Sequence, residues 1–263
     1  MIRETHARLQ PILQRRDHGF RWRGHEVSRI EGLSDAVFAF CITLLVVSLE
    51  APRKFADLQH MMHGFVAFGL CFASLLLIWH GQYIYFRRYA LDDLMSFLLN
   101  AALLFVVAFY VYPLKFLLTI LVNMWTGYQE VDKEGKAIQM MTMQDWRPLM
   151  MIYNAGFIAL YTIFALLYYH AYRRRDELDL SPMERYETRS VVQENGLMVC
   201  IGIVALVLAF ANKAQYSGLV YMTIPILQTV LGTVHGRRRR LLLAAEERTP
   251  EEVRRSRVQL EPR

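Results

Sequence analysis

At 263 residues, with 54% hydrophobic content and a net charge of +6, the chain has the composition of an integral membrane protein and not of an ordinary soluble domain. Its basic residues sit between apolar runs, so membrane topology and anionic lipid headgroups explain them better than nucleic acid does. Cys41, Cys71 and Cys200 all fall within apolar runs, which argues against a disulfide framework, and no two are spaced as a zinc pair.

Residues 1–28 are polar and basic, with Arg3, Arg8, Arg15, Arg16, Arg21 and Arg23. Ile2, Leu9, Ile12 and Leu13 allow a short amphipathic surface helix broken near Pro11, and a flexible tail is the alternative. The first apolar run starts only after this segment, so the first span reads as its own uncleaved insertion signal.

Six spans are expected, at about 30–50, 58–86, 92–118, 148–172, 189–211 and 217–235, because each is long and apolar enough for the ~20 residues that a bilayer crossing needs. Pro113 and Pro225 are expected to kink the third and sixth spans or to mark where their regular structure ends. The connection 119–147 is the longest; it holds Gly127, Gly135 and a Met-rich stretch at Met140, Met141 and Met143. It reads as an external cap or a partly ordered hairpin, with no chemistry of its own. In the tail, Thr249-Pro250-Glu251-Glu252 has the form of a helix start. The expected organisation is a basic N-terminal segment 1–28, a six-helix membrane domain 29–236 and a charged tail 237–263.

Loop charges orient these spans. With the N-terminus in the cytoplasm, the inside segments hold the N-terminal arginines, Arg87-Arg88, Arg173 to Arg175 with Arg185 and Arg189, and Arg237 to Arg240. Of the 30 Lys and Arg residues, the outside segments hold only Arg53, Lys54, Lys115, Lys133, Lys136, Arg147 and Lys213. That asymmetry places both termini in the cytoplasm.

The first span opens on Arg29, Glu31, Ser34 and Asp35, a hydrophilic cluster that a plain anchor helix does not need. Asp35 either caps the helix and reaches water or joins a buried network with Arg29 and Ser34. Candidate partners at the same depth are Trp79, His80 and Gln82 on the second span and Asn100 on the third, since lone buried polar groups are costly. Further along, Phe40, Thr43, Leu44 and Val47 fall at i, i+3, i+4 and i+7 and share one face. Such a face is lipid-facing, packed on a neighbour, or the lining of a narrow pore. The spans contain no zinc-protease, nucleophile-elbow or phosphate-loop motif, so an enzyme is not expected.

The run Arg29-x-x-x-Leu33-Ser34-Asp35, continuing through Phe38-Ala39-Phe40 to Ile42-Thr43-Leu44-Leu45-Val46, resembles the first helix of the prokaryotic transmembrane-protein-175 family of potassium channels. The chain differs at Leu33, where the family carries Phe, and at Gln82, which stands where the family usually places a His. The resemblance implies an all-α membrane protein of six transmembrane helices per subunit, passive and without a cofactor, assembling as a homotetramer. Its first helix would line a fourfold pore for potassium, with Phe40, Thr43, Leu44 and Val47 facing the axis. Thr43 corresponds to the family's selectivity threonine and Phe40 to its constriction. Arg29, Ser34 and Asp35 would form the scaffold that holds the helix. The expected setting is the plasma membrane of a prokaryote; the partners are potassium ions, lipid and further copies of the chain. The rival reading is a secondary transporter or proton-conducting protein, whose flux would saturate or need a second ion.

Overall fold

The computed structural model describes residues 16–17, 20–49, 52–127, 142 and 144–236. Strands β1 (Arg16–Asp17) and β2 (Phe20–Arg21) pair antiparallel ahead of the helices. There follow α1 (Arg29–Val47), α2 (Phe55–His63), α3 (Phe65–Tyr89), α4 (Leu94–Thr126), α5 (Trp146–Arg173), α6 (Pro182–Phe210) and α7 (Ala214–Val220). After a turn at 221–222, α8 covers residues 223–236. Six segments are long and apolar enough to cross a membrane: α1, α3, α4, α5, α6 and Ala214–Gly236, which α7 and α8 share.

Four boundaries differ from the sequence expectation, each for a local reason. Gly64 ends α2 and starts α3, so 58–63 belongs to a separate short helix and not to the second span. The third span does not stop at 118. It runs through Pro113 to Thr126 and ends on Gly127, whose φ of 69° provides the left-handed C-cap. Residues 119–126 are therefore helix and not external loop. The fifth span starts at Pro182, ahead of the expected 189, because Ser181 and Glu184 form a capping box with proline at the first helical position. That start precedes the apolar run, which is why hydropathy alone sets it too late. In the sixth span the break is the turn at 221–222, and Pro225 follows it in the first turn of α8, where a missing N–H costs nothing. The surface helix expected near 2–13, the methionines 140, 141 and 143, and the helix start at Thr249 lie outside the described residues.

The packing runs in chain order. α1 lies against α3 and α4, α4 against α5, α5 against α6, and α7 against α6 and α5. One apolar core joins α1, α3, α4 and α5 through Phe38, Cys41, Leu45, Cys71, Leu75, Leu103, Val107, Val111 and Leu167. Large apolar side chains also stand uncovered, among them Phe105, Phe109 and Trp125 at 70–85% exposure, as suits helices whose solvent is lipid.

The end of the N-terminal segment is not a loose tail. Phe20 is buried and meets Tyr89 edge-to-face at 5.5 Å. Residues 20–28 form a strap across the ends of α3 and α6, which leads directly into α1.

Candidate functional site

Helix α1 has two contrasting faces. Ser28 caps it, its hydroxyl accepting from the Glu31 N–H at 3.2 Å, and the buried stripe is Ile30, Glu31, Ser34, Phe38, Cys41 and Leu45. These positions recur at helical spacing and hold the helix against α3 and α4. On the opposite side Phe40 is 58% and Val47 70% exposed. Thr43 is exposed between them and Leu44 is half-buried on the flank. The Thr43 hydroxyl donates to Ala39 O at 2.9 Å. That bond occupies its one proton and leaves the oxygen lone pairs as acceptors on the uncovered face.

Near the N-terminal end of α1, three helices each contribute a buried polar side chain. Gln82 Nε2 of α3 donates to Asn100 Oδ1 of α4 at 2.6 Å. Asn100 Nδ2 donates to Ser34 Oγ of α1 at 2.9 Å, and Ser34 donates to Ile30 O at 2.8 Å. All three residues are essentially inaccessible. In a low-dielectric interior a hydrogen-bonded chain of this kind fixes register, because any slip strands a polar group.

The sequence candidates divide into two groups. Ser34, Gln82 and Asn100 come together in this chain. Asp35 is exposed and accepts instead from Trp79 Nε1 at 2.7 Å. Arg29 is exposed and joins neither group. His80 is also exposed and stacks on Tyr83 with centroids 6.2 Å apart. The single cluster of Arg29, Ser34 and Asp35 is thus split within the subunit, because Ser34 lies on the buried face while Arg29 and Asp35 lie on the other.

Sequence reasoning missed the charges that hold α1 from below. Arg87 Nη2 donates to Glu31 Oε2 at 2.9 Å, with side-chain exposures of 11% and 9%. The same guanidinium donates to Gly24 O at 3.0 Å and Glu26 O at 3.2 Å. Arg23 pairs with Glu184 at 2.8 Å and is equally buried. Arg23 and Arg87 read in sequence as ordinary cytoplasmic charge. No local spacing joins Glu31 to a residue 56 positions away. The one available signal was the capping box at Ser181 and Glu184.

At the C-terminal end of α1, Lys115 Nζ of α4 donates to Ser48 O at 3.1 Å and Ser48 Oγ at 2.6 Å. It thereby places a cation on the C-cap of α1, where the helix dipole is negative.

Comparison with known proteins gives this geometry a context. The family model described as the endosomal/lysosomal potassium channel TMEM175 matches residues 29–110, which contain α1, α3 and the whole of this polar lock. A potassium channel of Marivirga tractuosa is 35% identical over 231 residues, covering 85% of this chain and 94% of its relative. A potassium channel of Chamaesiphon minutus is 26% identical over 195 residues, covering 71% of this chain and 86% of that one. Among solved structures, a crystal structure of a variant of the potassium channel MtTMEM175, in complex with a nanobody fusion protein, superposes with a TM-score of 0.74. It is 33% identical and covers 84% of this chain and 99% of its own. With that identity extending over nearly the whole of its relative, the chain belongs to the TMEM175 family of potassium channels.

Proposed function

We propose that this protein conducts potassium passively across the plasma membrane of a prokaryote, without a cofactor, as a homotetramer with α1 of each subunit at the fourfold axis. Both termini lie in the cytoplasm in this reading. The observation that carries it is the division of α1 into two faces. Its inward stripe makes the polar and ionic contacts to α3 and α4, while Phe40, Thr43 and Val47 are uncovered at helical spacing. A fourfold axis turns that stripe into stacked rings. The Phe40 ring is the bulkiest and forms a dry constriction, which stops ions because they cannot keep their hydration shells there. The Thr43 ring offers the side-chain oxygens of this stripe, with their lone pairs free to replace water around a cation. Leu44 and Val47 extend the apolar wall outward.

The test is the reversal potential and conductance of the reconstituted channel in planar bilayers. Phe40→Ala is expected to raise conductance. Thr43→Val is expected to lower potassium-over-sodium preference about tenfold, which requires only about 1.4 kcal/mol. If both variants conduct and select as the wild type does, α1 does not line the pore. Flux that saturates or depends on a second ion would instead mark a transporter.

A further inference from the structure

We infer that the strap 20–28 is a latch that sets the inner position of α1, and that Arg23 and Glu184 are positioning residues for channel opening. The inference rests on the reading of α1 as the pore helix. α1 packs on α3 and α4, whereas α6 packs on α5 and α7; the two groups meet where α4 lies against α5 and where α3 touches α6, with Tyr89 Oη 2.8 Å from Thr188 Oγ1 and Arg88 3.9 Å from Glu187. The strap adds a further ionic connection, and this one reaches α1 itself. On the α6 side, Arg23 Nη2 meets Glu184 Oε2 at 2.8 Å and donates to Asp179 O at 3.2 Å, while Nε donates to Leu178 O at 2.9 Å. The Arg21 N–H donates to Glu184 Oε1 at 2.8 Å. On the α3 side, the N–H groups of Arg23 and Gly24 both donate to Arg87 O, at 3.0 and 3.1 Å. The guanidinium of that same Arg87 then holds Glu31 in the first turn of α1.

A chain of short contacts therefore runs from α6 through Glu184, Arg23, Arg87 and Glu31 to the start of the pore helix. Each charged member is nearly inaccessible, so displacing one strands another in a poorly solvated site. Gly24 is part of the device. A Cβ there would stand 2.9 Å from Phe86 O, so only glycine lets the strap lie this close to α3. With the latch released, the inner end of α1 is free to move, and a bulky apolar ring left unrestrained favours the collapsed, dry state.

The experiment is single-channel recording of the full-length protein in planar bilayers. Glu184→Gln keeps the capping box, since Gln serves at that position, but removes the charge opposite Arg23. Arg23→Ala removes the fork, Arg23→Lys keeps the charge, and Gly24→Val wedges the strap without altering charge. Expected are an open probability at least threefold lower in Glu184→Gln, Arg23→Ala and Gly24→Val, an Arg23→Lys value closer to wild type than Arg23→Ala, and unchanged reversal potentials throughout. A residue that serves folding alone would lower the yield of channels and leave the open probability of each one as it was. Wild-type open probability in Glu184→Gln and Gly24→Val overturns the latch, even if Arg23→Ala does not fold. Thr43→Val recorded alongside separates the two readings: if it alters selectivity while the latch variants gate normally, the latch fails and the pore assignment stands. If Thr43→Val and Phe40→Ala are both silent, the pore assignment itself has failed.

Discussion

Asn100→Ala isolates the polar lock near the start of α1. The substitution deletes the acceptor for Gln82 Nε2 and the donor to Ser34 Oγ, the bonds of 2.6 and 2.9 Å. Ser34 keeps its own bond to Ile30 O, so the larger loss falls on Gln82, which is 2% exposed. An orphaned buried donor costs about 1–3 kcal/mol. A hydrogen bond between membrane helices is worth about 0.6 kcal/mol on average and about 1.7 at most. The two scales overlap between about 1 and 1.7 kcal/mol. For a chain of this size that corresponds to a fall of about 2–7 °C in the unfolding midpoint, by the soluble-protein relation. Thermal unfolding of the purified channel in detergent, followed by tryptophan fluorescence, measures it. Gln82→Leu combined with Asn100→Leu removes both partners and should recover most of the loss, since replacing a whole buried pair by apolar groups is nearly neutral. A midpoint lowered by less than about 1 °C, or Gln82→Ala and Asn100→Ala costs that add without coupling, would show that these side chains do not act as a lock.

Glu31→Ala should be far more damaging than Asp35→Ala. It leaves the buried Arg87 guanidinium without its carboxylate, at about 3–5 kcal/mol, whereas Asp35 is exposed and loses one bond to Trp79, worth about 1 kcal/mol; yields of assembled channel on gel filtration rank the two. Asp93 caps α4 between two spans. Burial raises its carboxyl, but the Ser96 hydrogen bonds and the neighbouring His170 outweigh that and hold it below the ordinary 3.8. A depressed carboxylate stabilises above the unfolded value and loses that contribution as pH falls through the folded one, so Asp93→Asn should flatten the loss of thermal stability below about pH 4; an unchanged acid limb refutes this. For topology, Glu177→Cys in a cysteine-free background sits on the exposed α5–α6 linker and should react with an impermeant thiol reagent only after permeabilisation.

The spans were legible because bilayer thickness imposes a length on any apolar helix, and that length does not depend on what the helix packs against. The ends of the spans were less so. Hydropathy reads the lipid and not the chain, so Ser181 and Glu184 start α6 well before the apolar run begins, and α4 continues through Pro113 because a single lost hydrogen bond does not end a helix held on several sides. Among site residues, Ser34, Gln82 and Asn100 were accessible to depth arguments: buried amides and hydroxyls at one level in a membrane have few places to go. The separation of Asp35 from Ser34 is a matter of 100° around the helix, too fine for a cluster read as a unit. Arg23 and Arg87 were hidden by the rule from which the expected topology was drawn, since arginines in the basic segments between spans look alike in sequence whether they face water or Glu184 and Glu31.

The contrast in helix length has a consequence for how ions reach the channel from outside. α1 has 19 residues, about 28 Å of rise, and α4 has 33, about 50 Å. Lys115 fixes their relative level by binding Ser48, the residue that ends α1. From Lys115 to Thr126, α4 rises about 16 Å further, ending near Trp125, which is 85% exposed. In the proposed fourfold arrangement with α1 at the axis, a conduit along α1 would open at the floor of a basin walled by these last turns of α4. Ions would be dehydrated well below the membrane surface, and a blocker applied from outside would need to be narrow enough to descend into that basin before it met Thr43.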